Sequence, residues 1–102
     1  MAVICAGRTD RHVHASQQVI HFDTTESRTA RSWVFGCNSL LPDDISVSWA
    51  GEVGDAFHAR FSAISRRYHY CIYNHPIKSA NFAYEMTRYH YQLDAEKMHS
   101  AA

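Results

Sequence analysis

The sequence has no excess charge of either sign, because ten lysine and arginine residues balance ten aspartate and glutamate residues. A formal net charge of zero removes the whole-chain electrostatic argument for binding nucleic acid. The sequence also lacks a run of about 18 apolar residues, and no basic segment followed by an apolar one stands at its start, so it predicts neither a membrane span nor a signal peptide. We therefore expect a cytoplasmic protein.

The chain has three cysteines, which are widely spaced and form no C-x-x-C motif: Cys5, Cys37 and Cys71. An odd number of this kind predicts reduced, partly buried thiols rather than a disulfide framework. The histidines at positions 12, 14 and 21 lie close together in sequence, but no fourth ligand follows at zinc-like spacing. We therefore predict no metal site.

Apolar residues make up 46% and aromatic residues 13% of the chain, which is enough for the core of one small globular domain. Apolar runs and alternation predict strands over residues 2–6, 18–23, 45–53 and 66–74. A helix is predicted over about 28–40, with a buried stripe from Ala30, Val34, Phe35 and Leu41. Residues 41–44 should form a turn. Residues 78–92 should be loop with a short strand near Tyr89, and Asp94 should cap a last, short helix.

The stretch at residues 5–15, C-A-G-R-T-D-R-H-V-H-A, places a carboxylate, a guanidinium and a glycine in a short turn after an apolar strand. This pattern predicts an active-site loop. Arg8 and Asp10 are two residues apart, so the guanidinium can hold one carboxylate oxygen while the other faces a substrate. The alternative is a plain surface ion pair, worth under about 1 kcal/mol.

A second basic feature is an arginine excess in a stretch without acidic residues, from position 56 to 84, which contains Arg60, Arg66 and Arg67. Arginine presents a planar fork of donors that suits phosphates. A solvated strand edge explains the same excess equally well.

The loop at residues 5–15, with residues 18–23 behind it, closely resembles the catalytic motif of the tRNA pseudouridine synthase A (TruA) family, usually A-G-R-T-D-A-G-V-H-A. Further matches follow in order within residues 33–45, 57–63, 66–74 and 93–94, so the resemblance covers nearly the whole chain. Members of that family are well over twice this length. We therefore expect residues 1–102 to be a partial catalytic domain that lacks the N-terminal and C-terminal parts, with both ends cut through an element.

The resemblance implies that uridine is isomerised to pseudouridine in the tRNA anticodon arm, at tRNA positions 38–40, without a cofactor. It implies that Asp10 is the catalytic residue and that Tyr68 stacks on the target base. Phosphate or base contacts are implied for Arg8, Arg28, His58 and Arg60. It also implies homodimers and an α+β pseudouridine synthase fold, here incomplete, in which an antiparallel-rich sheet carries helices on one face.

Three positions depart from the family pattern, since Arg11, His12 and Gln17 stand where alanine, glycine and glycine are usual. If position 12 needs a positive φ, histidine costs about 1–2 kcal/mol there. Arg11 can pair with Asp10 and mask it, or add a phosphate contact. Two alternatives therefore stay open, a degenerate RNA-binding fragment and an unrelated small interaction domain.

Tyr68 is also compatible with a core strand position, the role we favour for Tyr70.

Overall fold

The computed structural model describes all 102 residues, Met1–Ala102. The elements in chain order are β1 (Ile4–Cys5), β2 (Ile20–His21), α1 (Ala30–Asn38), β3 (Ile72–Asn74), β4 (Thr87–Tyr89) and α2 (Ala95–Ala101). β1 pairs with β2 in antiparallel orientation, and β3 pairs with β4 in parallel orientation. The two pairs form separate two-stranded sheets, so the chain is a small α+β structure.

The chain divides into two compact units where the sequence predicted one small domain. The first unit contains residues 1–7 and 18–64, and the second contains residues 8–17 and 65–102. The loop that follows β1 thus belongs to the second unit, while both strands that flank it belong to the first.

In the first unit, the β1–β2 pairing holds the two ends of that loop together. Ile4 lies opposite His21, and Cys5 lies opposite Ile20. The pairing continues beyond the strands through the amide of Ala6, which donates to the carbonyl of Val19 at 2.8 Å. Gln18 Nε2 then donates to the Gly7 carbonyl at 3.0 Å. The strands predicted over 2–6 and 18–23 are confirmed, although each is two residues long.

Helix α1 begins at Ala30, two residues after the predicted start at about residue 28, because the Thr29 side chain caps it by accepting a hydrogen bond from the Ser32 amide at 3.2 Å. Val34 and Leu41 are half-buried, as the stripe predicts. Ala30 is exposed and Phe35 is 61% exposed, so their places in the stripe are wrong. Neighbouring residues of a helix lie about 100° apart around its axis, and Phe35 therefore points away from the side that buries Val34.

The strand predicted over residues 45–53 is wrong, because this segment has no partner strand. Its backbone is held instead by one side chain: Asn38 Nδ2 donates to the Val47 carbonyl at 2.8 Å, and Asn38 Oδ1 accepts from the Val47 amide at 2.7 Å. The turn before it is confirmed by a hydrogen bond from the Ile45 amide to the Pro42 carbonyl at 3.0 Å.

In the second unit, β3 and β4 lie in parallel register, with Tyr73 opposite Arg88. Residues 75–86 connect them, which is about the dozen residues that a parallel connection needs. Of the strand predicted over 66–74 only the last three residues pair, whereas the short strand near Tyr89 is confirmed. Helix α2 is capped as predicted, with Asp94 Oδ1 accepting from the Lys97 amide at 3.0 Å.

The structure buries very little, since Ala59 is its only buried hydrophobic residue, at 3% exposure. The accessible surface is 9919 Å², whereas a compact chain of 11.7 kDa exposes about 5,900 Å². Large apolar side chains stand on the surface, including those of Leu40, Trp49, Phe61 and Ile64. The apolar content therefore exceeds what these two units enclose.

The predicted sheet arrangement is corrected accordingly. Instead of one antiparallel-rich sheet with helices on one face, there are two separate strand pairs, one of them parallel. Neither helix packs its backbone over a strand pair. Helix α1 reaches the end of β2 through a single ring contact, between Trp33 and Phe22, with centroids 5.2 Å apart.

Two smaller expectations concern thiols and membrane spans. All three cysteines are free, and Cys5 and Cys37 are half-buried as predicted, while Cys71 is exposed. Neither helix has the length and apolar character needed to traverse a bilayer.

Candidate active site

The loop that carries Asp10 is a tight turn in the second unit. The Val13 amide donates to the Asp10 carbonyl at 3.0 Å, which encloses Arg11 and His12 at the centre of the turn. His12 has φ 66°, and no other residue of the chain, glycine included, has a positive φ. Type II turns need a positive φ at their third residue, where glycine is favoured. The departure from glycine at position 12 therefore falls on the one left-handed backbone position.

The second departure from glycine, at position 17, has no conformational cost. Gln17 is exposed and does not have a positive φ. A non-glycine residue fits an ordinary backbone conformation without strain. The strain of the altered loop is therefore concentrated at His12.

The ion pair predicted between Arg8 and Asp10 is not formed, and Arg11 does not pair with Asp10 either. The ion pair of this structure joins Lys97 Nζ to Asp94 Oδ2 at 3.8 Å. Arg8, Asp10 and Arg11 are all exposed, and an exposed pair gains too little free energy to hold two side chains in one geometry. The Asp10 carboxylate consequently faces water without a guanidinium partner.

Tyr68 and Tyr70 belong to the segment that leads into β3. The Tyr68 ring is 70% exposed, which excludes the alternative of a core tyrosine. The Tyr70 hydroxyl lies 2.6 Å from the Thr87 hydroxyl oxygen, and the Thr87 amide donates to the Cys71 carbonyl at 3.1 Å. Tyr70 is 77% exposed, so the core strand position favoured for it is wrong, and its hydroxyl instead links the segment before β3 to β4. The face of Tyr68 is open for stacking.

A further aromatic side chain lies beside the Asp10 turn. The rings of His12 and Tyr84 have centroids 6.5 Å apart and an interplanar angle of 30°, within the range of aromatic pairs. Sequence reasoning missed Tyr84, because 74 positions separate it from Asp10 and no local pattern links them. The contact places an 82% exposed tyrosine next to the substituted position of the loop.

In the first unit, two predicted contact residues lie on one tight turn. His58 is half-buried and Arg60 is exposed. The His58 ring stacks on Phe61 with centroids 4.3 Å apart, and the Arg60 guanidinium lies 5.8 Å from the same ring centroid. This turn therefore presents an imidazole and a guanidinium next to one aromatic ring.

Arg28, the remaining predicted contact residue, lies before the cap of α1. Its guanidinium carbon is 5.4 Å from the centroid of the Trp33 ring. Arg31 makes a similar contact with Phe35 at 4.6 Å, and sequence reasoning missed this pair. Arginine over an exposed aromatic ring is a combination that binds single-stranded nucleic acid.

Charge is distributed unevenly between the two units. The first unit has three arginines against six acidic residues, a net charge of −3, and the second has seven lysines and arginines against four acidic residues, a net charge of +3. The neutral total therefore conceals a basic unit, and that unit contains Asp10 together with Arg8 and Tyr68. Arg28, His58 and Arg60 belong to the acidic unit.

The structure also contains a cavity of about 200 Å³ in the second unit, lined in part by Tyr73, Lys78, Phe82, Met86 and Arg88. Asp10 and Tyr68 do not line it. No cluster of three or more histidine, cysteine or carboxylate side chains is arranged to hold a metal ion.

No family model matches the chain, but curated proteins do. The chain is 57% identical over 99 residues to tRNA pseudouridine synthase A of Glaesserella parasuis serovar 5 (strain SH0165), a match that covers 97% of this chain and 38% of that protein. It is 54% identical, with the same coverage, to tRNA pseudouridine synthase A of Actinobacillus pleuropneumoniae serotype 3 (strain JL03). It is 51% identical over 102 residues to the protein of that name from Shewanella sp. (strain W3-18-1), covering 100% of this chain and 39% of the relative.

The chain thus spans less than two fifths of the length of the curated relatives it matches. The matches cover 97–100% of this chain, and more than half of the matched positions are identical. The matched span therefore includes the Asp10 loop, the His58–Arg60 turn and the segment of Tyr68. The chain corresponds to one part of these longer relatives, and it belongs to the tRNA pseudouridine synthase A family.

Proposed function

We propose that this chain carries the catalytic part of a tRNA pseudouridine synthase, an isomerase that converts uridine to pseudouridine in the anticodon arm, at tRNA positions 38–40. The observation that carries the proposal is the 51–57% identity to proteins of that name along the whole chain. The exposed Asp10 turn in the basic unit supports it, because a polyanionic substrate is attracted to positive charge.

In the proposed reaction, the Asp10 carboxylate acts as nucleophile or base at the ribose or the uracil. The N-glycosidic bond breaks, the uracil turns, and a bond from C5 to the ribose replaces the one from N1, while C5 loses its proton and N1 gains one. Attack by a carboxylate on a glycosidic carbon is established covalent catalysis. The proposed role of Tyr68 is to stack on the extruded uracil, which suits an open aromatic face because stacking tolerates rotation of the base.

Arg8, Arg28, His58 and Arg60 are the proposed contacts to phosphates or bases. We further propose the pseudouridine synthase fold, homodimers and a cytoplasmic location, with residues 1–102 as a partial catalytic domain. These expectations follow from the family and from the tRNA substrate.

The test is pseudouridine formation in an unmodified tRNA transcript with uridines at positions 38–40. It compares the chain with its Asp10→Ala variant and with Asp55→Ala, a matched control that removes another aspartate from an exposed site. We expect Asp10→Ala to abolish product and Asp55→Ala to retain it. If the chain alone forms no product, the same three variants are compared in a version extended to family length. Product that persists after Asp10→Ala contradicts the proposed role, and an extended version without activity contradicts the proposed function.

A second candidate is a noncatalytic RNA-binding piece of the same family. It is favoured by the left-handed backbone at His12, next to the carboxylate, and by the open surface around Asp10. It predicts affinity for tRNA that falls steeply as salt rises, with no pseudouridine from any version. Restoring alanine and glycine at positions 11 and 12 separates the two, because a gain of activity identifies the loop as the defect. Family membership argues against the remaining alternative, an unrelated interaction domain.

A further inference from the structure

The imidazole of His21 has a structural position that the proposed catalysis does not use. His21 is half-buried on β2, and its Nδ1 accepts a hydrogen bond from the Ala59 amide at 3.0 Å. Ala59 is the most buried residue of the chain, at 3% exposure. A buried amide without an acceptor is costly, so this single bond ties β2 to the residue between His58 and Arg60.

The turn that contains Ala59 is closed by hydrogen bonds of its own. The His58 amide donates to Ser62 Oγ at 2.9 Å, and the Ser62 amide donates to the His58 carbonyl at 2.7 Å. His58 Nδ1 accepts from the Phe61 amide at 3.2 Å. These bonds set the shape of the turn, but they are all internal to residues 58–62. His21 supplies a hydrogen bond between this turn and the strand pair.

The rings around this bond reinforce the same contact. The His21 ring lies edge-on to His58, with centroids 4.7 Å apart, and edge-on to Phe57, at 6.1 Å. Both Nδ1 atoms accept backbone hydrogen bonds, which leaves Nε2 of each ring for other partners. In this arrangement His58 supplies an N–H donor, and Arg60 supplies a positive charge.

We propose that His21 is a positioning residue for RNA binding: its Nδ1 holds the Ala59 amide and thereby orients His58 and Arg60 toward the RNA. This inference rests on the proposed function, because the ligand of that turn is the tRNA. It assigns His21 no contact with the substrate. It follows that the requirement at position 21 is an acceptor at the place of Nδ1, rather than an imidazole as such.

The test uses two amide substitutions that differ by one bond in reach. In His21→Asn the side-chain oxygen takes the place of Nδ1, whereas in His21→Gln it lies near the place of Nε2. We expect tRNA affinity within about twofold of the original for His21→Asn and roughly three- to tenfold weaker for His21→Gln, as for one lost hydrogen bond. His99→Asn, at an exposed histidine of α2, controls for the change of residue type.

Arg60 distinguishes positioning from a general loss of stability. In an Arg60→Gln background we expect His21→Gln to have little further effect on tRNA affinity, because the oriented charge is already absent. With Arg60 present, His21→Gln should reduce the salt dependence of binding by about one phosphate contact. Equal losses in both backgrounds, or equal behaviour of the Asn and Gln variants, overturn the inference.

Amide hydrogen exchange at Ala59 gives a readout that needs no RNA. Protection of this amide should persist in His21→Asn and be lost in His21→Gln, and its persistence in both overturns the inference. If neither the unsubstituted chain nor a version extended to family length shows salt-dependent tRNA binding, the proposed function fails and the RNA-binding role of His21 fails with it. If tRNA binding is intact and His21→Gln leaves it unchanged, the positioning role alone is refuted.

Discussion

The left-handed backbone at His12 makes the stability of the Asp10 turn depend on one side chain. At φ 66°, a residue with a Cβ costs about 1–2 kcal/mol relative to glycine. Glycine offsets about 0.5–1 kcal/mol of this gain, because it has more conformational entropy to lose when the turn closes. Replacing histidine also removes the ring contact with Tyr84. The informative comparison is therefore His12→Gly against His12→Ala, because both variants lose this contact and only alanine keeps the strain.

On these values His12→Gly should hold the turn closed more firmly than His12→Ala by about 0.5–1 kcal/mol. Hydrogen exchange of the Val13 amide measures this directly, since that amide closes the turn on the Asp10 carbonyl. The exchange should be about two- to fivefold slower in His12→Gly, because a factor of ten corresponds to about 1.4 kcal/mol. His12→Asn should fall between the two, since asparagine tolerates the left-handed region. Equal exchange in the Gly and Ala variants would refute the assignment of strain to position 12.

Three other substitutions test separate parts of the structure. Asn38→Asp replaces the Nδ2 donor by an oxygen that repels the Val47 carbonyl, so the free energy of unfolding should fall by about 1 kcal/mol, measured by urea denaturation with Asn38→Ser as comparison. Asp94→Ala removes the cap of α2 and should cost about 0.5–2 kcal/mol, seen as lower helicity by circular dichroism, while Asp94→Asn keeps most of it. Tyr68→Leu should weaken tRNA binding by about 1–3 kcal/mol and Tyr68→Phe by much less; equal losses would contradict stacking.

The start of α2 was predictable from the sequence, and that of α1 to within two residues, because their determinants are local. Thr29 and Asp94 each accept a hydrogen bond from an amide three residues away, and such contacts form whatever the rest of the chain does. The turn after α1 is equally local. Strands behave differently, because a strand exists only where another strand offers its backbone. Residues 45–53 alternate like a strand, yet the Asn38 side chain supplies the bonds of Val47 instead.

For the candidate site, residue types and family motifs indicated Asp10, Tyr68 and the basic contacts, while the geometry among them depended on the fold. The Arg8–Asp10 pair is plausible from spacing and absent in the structure, since exposure makes such a pair weak. No local sequence pattern predicts the contacts of Tyr84 and His21, because their partners at positions 12 and 59 are distant in sequence.

The sequence by itself determined the family, the Asp10 motif and the cap of α2, all of which depend on residue identity and short spacing. The tertiary structure decided the parallel pairing of β3 with β4, the division of charge between two units, the positive φ at His12 and the bond from His21 to Ala59. The strand pairing and the His21–Ala59 bond join residues far apart in the chain. Local preferences of the chain do not encode them, because their free energy appears only once distant segments meet.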